Sequence, residues 1–402
     1  MNNLTQVRLQ PVAPPSIGRR RAARIRHRMI HASVVIAAIA IVALTGVAIQ
    51  QSLAERGIAF SFGYLFRPSQ FNVSEGFAAV WDGWWPALVQ VTSDSTNLQM
   101  LTAGLFNTIK VALLAILFST VIGVIFGVAR LSTNWLIRQI AFAIVEFVRN
   151  TPLLIQVVFW YFAFFLRVPP VTDAANVEKW FVFGQSGLFL PLLQISDGVD
   201  SGTVVLIALA IALMILACWP RLSLGRRWVL FGAGAVAAAA GYATGFRMDL
   251  ALPLVGRFGA TGGLQLSPEM SAILIAIVVN SAAYIAEIVR GAIEGLPKGQ
   301  WEAAAAVGLS RKDTIRDVIL PQVFRIILPS LANRYISLTK DTSLGIAIGF
   351  PDLFNVSGTV ANQTGHSLET VLIVMAIYLM LSWLISAFIN FLNGRVILEG
   401  AR

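Results

Sequence analysis

The chain has 402 residues, 57% of them hydrophobic and only 12% charged, with a formal net charge of +10 and a mean hydropathy of +0.75. A soluble domain is roughly a quarter charged, so a soluble globular protein is excluded and a polytopic membrane protein is indicated. The positive charge would suggest nucleic acid on a soluble chain. Here Lys and Arg gather in alternate loops, the bias that keeps positive loops cytoplasmic, so the expected partner is membrane lipid and no nucleic acid.

Residues 1–28 form a basic cytoplasmic arm, Pro-containing and then "RRRAARIRHR" over Arg19–Arg28. The arm is a topology signal more than a nucleic-acid patch. The first apolar run, Met29–Gln50 (domain 29–50), is too long for a signal peptide and lacks a small-residue cleavage site, so it is taken as a span. Residues 51–104 come next as a periplasmic loop, with "WDGWWP" (Trp81–Pro86) suited to an interfacial aromatic belt rather than a ligand-stacking site.

Crossing roughly 30 Å of hydrocarbon takes about 20 apolar residues. By that measure the later candidates are Leu105–Val128, Pro152–Leu166, Thr203–Trp219, Trp228–Phe246, Ser271–Arg290, Ile326–Gly349 and Val371–Leu392, which bring the expected total to about eight. Both termini then lie in the cytoplasm. Before the third span, Glu146 and Arg149 stand at i and i+3 and can pair on one helical turn. Thr151 and Pro152 read as N-cap and first helical residue of that span. Residues 167–267 hold a periplasmic segment and two inserted spans with no ionisable residue inside them; "AGAVAAAAG" suits close packing. Glu287 and Arg290 are a second i, i+3 charge pair, given the same structural reading.

The loop 294–321 is cytoplasmic by the charge count. Pro297 suits a first helical turn, Gln300 to Ala306 are mostly strong helix formers, and Gly308 can take the left-handed conformation that stops a helix. Ser310 and Asp313 have capping-box spacing and would start a second helix, Arg311–Leu320, which Pro321 interrupts. A small-residue helix with Trp301 and Leu309 beside it could lie in a groove of another protein; an ordinary connecting loop is the plainer alternative.

The next span, Ile326–Gly349, carries Arg334, Lys340 and Asp341. Charges at membrane depth are costly and face a bundle interior or a watery cavity. Arg334, Ser337 and Asp341 fall on one helical stripe. Arg334 or Lys340 could accept a carboxylate and Asp341 an ammonium; a Lys340–Asp341 pair that only holds helices together is the alternative. Asn280 and Tyr284, with Ser281, could line the same cavity. Cys218 is the single cysteine and the three histidines are scattered, so neither a disulfide nor a metal site is expected.

Glu302-Ala303-Ala304, Gly308 and Leu320-Pro321 resemble the "EAA" loop of permease subunits in binding-protein-dependent ATP-binding-cassette importers, with Val318 where that family has isoleucine. "VEFVRNTPLLIQVVFWYF", "NSAAYIAEIVRGAIEGLPKGQWEAA" and "LTKDTSLGIAIG" are similar to the polar amino-acid class, and the long form with added spans to subunits of general L-amino acid importers. The resemblance implies an all-α integral membrane protein with a type I importer-like permease core in two parts, 105–166 and 268–395, an N-terminal span, two inserted spans and a cytoplasmic tail 396–402. It implies that Gln300, Trp301, Glu302, Ala303, Ala304, Gly308 and Leu309 dock on a separate ATP-binding subunit. The further partners implied are a second similar permease or a second copy and a periplasmic amino-acid-binding protein, in the bacterial inner membrane. No phosphate-binding loop of the form G-x-x-x-x-G-K-[ST] occurs in the sequence, so ATP and Mg belong on the partner. The chain itself is expected to need no cofactor and to be a translocating subunit, not an enzyme. An ion-coupled secondary transporter is the rival; it calls for broken helices in matching halves, which are not evident in the sequence.

Overall fold

The computed structural model describes residues 60–82, 85–169, 180–196, 201–218, 222–256 and 259–396, with scattered helical residues between 29 and 55. The arm 1–28, most of the first expected span and the tail beyond residue 396 lie outside the described residues. The chain divides into two units, Met1–Phe62 and Gly63–Arg402.

The second unit is a helical bundle. Helix α1 is Asn97–Ala129, α2 Trp135–Asn150 and α3 Leu153–Val158. Thr96 begins α1 with a full capping box, its hydroxyl accepting from Gln99 N–H and the Gln99 amide accepting from Thr96 N–H. In the insertion, α4 is Ser201–Ala217 and α5 Leu224–Ala243. Helices α6 (Pro268–Glu294), α7 (Gly299–Ala306), α8 (Leu320–Asp341), α9 (Leu353–Thr364) and α10 (Ser367–Val396) complete the bundle.

Helix α6 is the core. Met270, Ile273, Ile277 and Ile285 along it are fully buried, and α1 packs against its length. Lipid tails are as apolar as leucine, so membrane helices associate through close packing of small residues. That contact rests on Gly123 and Gly127 of α1: a Cβ at Gly123 would sit 2.6 Å from Ile285 Cβ, and one at Gly127 2.8 Å from the Ala286 carbonyl oxygen. By contrast α10 leaves Leu379, Trp383 and Phe388 exposed.

Among the described residues, three helices are long and apolar enough to cross a membrane (α1, α6 and α10), or five if each of two bent pairs is one span; Gly202–Ala217 is apolar but shorter. The expected eight are therefore not all found there. The first bent pair joins Trp135–Asn150 to Leu153–Arg167 at 101°. Pro152 drives the bend, because it has no N–H and disfavours helical geometry in the residue before it. Thr151 is extended (φ −98°, ψ 123°). This corrects the expected cap: the Thr151 hydroxyl donates back to the Phe147 carbonyl, and Pro152 precedes the helix without capping it through a side chain. Beyond α3 the helix widens into a π stretch, Phe159–Phe164, and tightens into a 3-10 turn, Phe165–Arg167.

The second bent pair joins Arg311–Ile348 to Leu353–Thr364 at 54°. Arg311–Asp313 runs through a π turn, Thr314–Ile319, into α8, and a 3-10 stretch, Thr342–Ile348, comes after it. So Arg311–Leu320 is not a separate helix and Pro321 does not interrupt the chain. The π turn shifts the hydrogen-bond register, and the proline falls in the opening residues of α8, where its missing N–H is tolerated. Pro297 likewise lies before its helix, which begins at Gly299.

The connecting segments are not all loop or helix. Strands β1 (Phe77–Asp82) and β2 (Trp85–Gln90) form an antiparallel hairpin in which Trp81 lies opposite Pro86. In the insertion, β3 (Val182–Gly184), β4 (Gly187–Leu190) and β5 (Leu192–Ile195) lead out, and β6 (Met248–Ala251), β7 (Leu254–Gly256), β8 (Gly259–Thr261) and β9 (Leu264–Leu266) return. β9 pairs with β4 and β6 with β5, which makes an antiparallel stalk. It carries α4 and α5, which pack closely where Gly234 meets Ala210 and Met214 and Gly241 meets Ile207.

Candidate functional site

Helix α6 carries a polar stripe along its buried length. Asn280, Ser281, Tyr284, Glu287, Arg290 and Glu294 recur at helical spacing, and the stripe ends one residue before the α6 cap at Gly295.

At its first end sits Arg334 of α8. Its guanidinium donates to the Asn280 side-chain oxygen (3.0 Å) and to the Ser281 hydroxyl (2.7 and 3.2 Å), and pairs with Asp341 at 3.4 Å. Its Cζ lies 4.8 Å from the Tyr284 ring centroid, within cation–π range. The structure therefore brings Arg334, Asp341, Asn280, Ser281 and Tyr284 together, as expected, with Ser281 the nearest hydrogen-bond partner of Arg334. It corrects the pairing, because Asp341 meets Arg334 and Lys340 is not its salt-bridge partner. Lys340 points elsewhere, lining a cavity of about 410 Å³ with Ser343, Ser357 and Tyr378. Ser337 is exposed.

At the middle of the stripe, the two expected pairs form: Arg149–Glu146 at 3.2 Å and Arg290–Glu287 at 2.5 Å. They are parts of one cluster. Arg130, the C-cap of α1, reaches Glu287 at 2.5 Å and Glu146 at 3.4 Å. Arg149 lies 3.8 Å from Glu287, and Arg290 also pairs with Glu294. Three guanidinium groups and three carboxylates thus balance in charge where α1, α2 and α6 meet. In the sequence Arg130 reads only as a loop charge; its place right after an apolar run of 33 helical residues is the signal that marks it.

Beyond Gly295 lies the loop. Helix α7 ends in a Schellman motif: Leu309 N–H donates to the Ala304 carbonyl, Gly308 N–H to the Ala305 carbonyl, and Gly308 holds φ +78°. Ser310 then caps the following helix, its hydroxyl accepting from Asp313 N–H and donating to the Asp313 carboxylate. Ala304 is buried and Trp301 packs on the apolar cluster of Ile285, Val289, Ala292 and Leu296, while the Gln322 amide donates to the Gln300 side chain. Those three residues hold α7 to its own bundle. The opposite face, with Glu302, Ala303, Ala305, Ala306, Gly308 and Leu309, is open, and Val307, which the motif does not single out, is exposed beside it.

Long apolar helices, bent spans and a small-residue helix with one open face fit a membrane protein of the transport class. Residues 238–397 match the family described as binding-protein-dependent transport system inner membrane component. The chain is 35% identical over 359 residues, 86% of each chain, to the general L-amino acid transport system permease protein AapQ of Rhizobium johnstonii. It is 33% identical over 374 residues, 90% of this chain and 92% of the other, to the putative amino-acid ABC transporter permease protein YhdX of Escherichia coli K12. A solved amino acid ABC transporter with histidines is 21% identical, with a TM-score of 0.45 over 74% of this chain and 94% of that one. The chain belongs to the binding-protein-dependent transport system inner membrane component family, the permeases of ABC importers. The two bent spans answer part of what an ion-coupled carrier would require, but the family membership does not favour that reading.

Proposed function

We propose that this chain is the permease subunit of an ATP-driven importer that translocates amino acids, in a broad L-amino acid range, after delivery by a periplasmic binding protein. The observation that carries the reading is the open small-residue face of α7, held rigid by its Schellman stop and anchored from behind by Trp301 and Ala304. Such a face admits close approach by another protein's backbone. Gln300, Trp301, Glu302, Ala303, Ala304, Gly308 and Leu309 form this docking element, with the exposed residues in contact and Gln300, Trp301 and Ala304 setting its pose. The partner is an ATP-binding subunit that brings ATP and Mg. Its nucleotide-driven closure moves α7 and tilts the spans. The substrate class is taken from the names of the relatives.

The assembly is a heterodimer with a second homologous permease, or a pair of copies, in the bacterial inner membrane with both termini cytoplasmic. The N-terminal run and the inserted pair complete about eight spans, the number that apolar stretches of about 20 residues allow. Arg334, Ser337, Lys340, Asp341, Asn280 and Tyr284 line the pathway. Arg334 or Lys340 takes the substrate carboxylate and Asp341 the ammonium, so recognition falls on the shared backbone of amino acids. A pulldown in mild detergent tests the assembly, and competition of radiolabelled uptake by other amino acids tests the range. No nucleotide-binding subunit in the pulldown, from cells that accumulate amino acid, would refute the reading.

A further inference from the structure

We propose that Tyr284 is a positioning residue that links the charge cluster behind the docking helix to the Arg334 site, its ring holding the guanidinium groups of both Arg149 and Arg334. The inference rests on the importer reading and goes beyond it by naming the route between α7 and the pathway.

The geometry is continuous. Arg334 Cζ lies 4.8 Å and Arg149 Cζ 5.6 Å from the Tyr284 ring centroid. Arg149 belongs to the cluster through Glu146 and Glu287. Glu287 binds Arg130 and Arg290, and Arg290 binds Glu294, the last residue of α6. Glu294 is one residue from the α6 cap, and α7 begins at Gly299. The stripe therefore runs from Glu294, joined to the docking helix by the short chain Gly295–Lys298, to Asn280 and Ser281, the residues that bind Arg334. Three helices besides α6 contribute one arginine each: α1 Arg130, α2 Arg149 and α8 Arg334.

Every noncovalent link is a salt bridge or hydrogen bond except the two cation–π contacts of Tyr284. The exception is the aromatic ring, which joins two cations that would otherwise repel. A cation over a ring face can slide without breaking a directional bond. When α7 is drawn by its partner, α6 and α2 shift together through the charge cluster. Tyr284 then re-aims Arg334 between Asp341 and the α6 amide and hydroxyl. Arg334 has two alternatives within reach, carboxylate and neutral acceptors, so a small shift of the ring changes which of them it serves.

The test uses the complete complex in liposomes, with binding protein and ATPase, and reads amino acid taken up per ATP hydrolysed. Tyr284→Leu keeps apolar bulk and removes the ring; Tyr284→Phe keeps the ring. The expected result is that Tyr284→Leu hydrolyses ATP but lowers the uptake-per-ATP ratio about two- to fivefold, the factor that one cation–π contact at a ring 37% exposed represents, while Tyr284→Phe restores it. Arg149→Gln should lower the ratio in the native background and add nothing to Tyr284→Leu. If Tyr284→Leu does not assemble, Arg149→Gln against Arg149→Lys decides alone, with the ratio lost in the first and kept in the second. An unchanged ratio in Tyr284→Leu, full additivity with Arg149→Gln, or failure of Tyr284→Phe (which would make the hydroxyl the working group) overturns the inference while native transport stands. A native complex in which substrate-loaded binding protein stimulates no ATP hydrolysis overturns the importer reading and this inference with it.

Discussion

Arg130 and Glu287 meet at 2.5 Å across the interface of α1 and α6, with the Arg130 side chain only 7% exposed. Removing Arg130 leaves Glu287, 28% exposed, still paired with Arg290 and Arg149, so the cost stays below the about 3–5 kcal/mol of breaking an isolated buried pair. Arg130→Ala should still lower the unfolding temperature of the purified complex, because Glu287 and Glu146 both lose the guanidinium that joins them to the end of α1. Glu146, at 3.4 Å, is the weaker contact, and Glu146→Gln should cost much less. Equal shifts for the two variants in a thermal unfolding assay would contradict this ranking.

Gly123 makes a sharper prediction, because no side chain fits there. An added Cβ meets Ile285 Cβ at 2.6 Å and the Ala282 carbonyl oxygen at 2.9 Å, and backbone cannot swing away as a long side chain can. Gly123→Ala should push α1 from α6 and cost about 1–3 kcal/mol, as overpacking of a full interior does. Gly232→Ala on α5, where an added Cβ meets nothing, is the control and should leave the melting temperature unchanged. Detergent melting of both variants checks the pair.

These two contacts between α1 and α6 show what the sequence can and cannot say. Apolar length and flanking charge are enough for the long spans, because hydrocarbon thickness sets both. The Glu146–Arg149 and Glu287–Arg290 pairs are legible from i, i+3 spacing alone. Their union through Arg130 is not, since it joins residues 157 apart in sequence. The hairpin Phe77–Gln90 and the stalk of the insertion escape the sequence because their strands are too short to show a period, and in the stalk β4 with β9 and β5 with β6 also pair across long stretches of chain. Pro152 is visible but ambiguous. A proline suits both a first helical turn and the residue just before one, and the 101° bend decides for the second.

Docking on α7 is best tested on its open face. Ala305 and Ala303 are exposed, whereas Ala304 is buried at 4%. Ala303→Trp adds bulk outward and strains no backbone. It should leave the chain folded and inserted while the ATP-binding subunit no longer copurifies. Ala304→Trp should instead damage the chain itself, lowering its own yield. Gly308→Ala separates a third effect: it has room for the methyl group but sits at φ +78°, a left-handed conformation that costs a residue with a Cβ about 1–2 kcal/mol. Normal copurification from Ala303→Trp membranes would remove the docking face.

At the proposed pathway, Ser281 and Asn280 are nearly fully buried beneath Arg334. Arg334→Ala should abolish most uptake while assembly with the ATPase survives, since the residue lies away from α7. Arg334→Lys keeps a charge but cannot make the paired contacts to Asn280 and Ser281 that a planar guanidinium makes. It should recover less than half of the transport rate, by the order of magnitude that loss of such a paired contact brings. Initial uptake rates at saturating binding protein check both; native rates in Arg334→Ala would take this residue out of the pathway.

Gln156 secures the backbone at the bend. Its Nε2 donates to the carbonyl oxygens of Val148 (3.0 Å) and Thr151 (2.9 Å); the Val148 oxygen also accepts from Thr151 N–H, whereas Ile155 N–H, the helical donor for Thr151, turns to Pro152 instead. Irregular backbone at membrane depth is tolerated only where such groups are satisfied from elsewhere. Among the described residues the Gln156 Oε1 has no hydrogen-bond partner, so the donor end is what this position needs. Gln156→Leu keeps volume and removes the donor, and should destabilise the chain by about 1–3 kcal/mol for the Thr151 carbonyl left unpaired. Gln156→Glu should be worse, because an ionised carboxylate would face two carbonyl oxygens. Melting temperatures that fall from the native chain to the Leu variant and further to the Glu variant would support this account; a Glu variant as stable as the native chain would show that something other than the amide satisfies the bend.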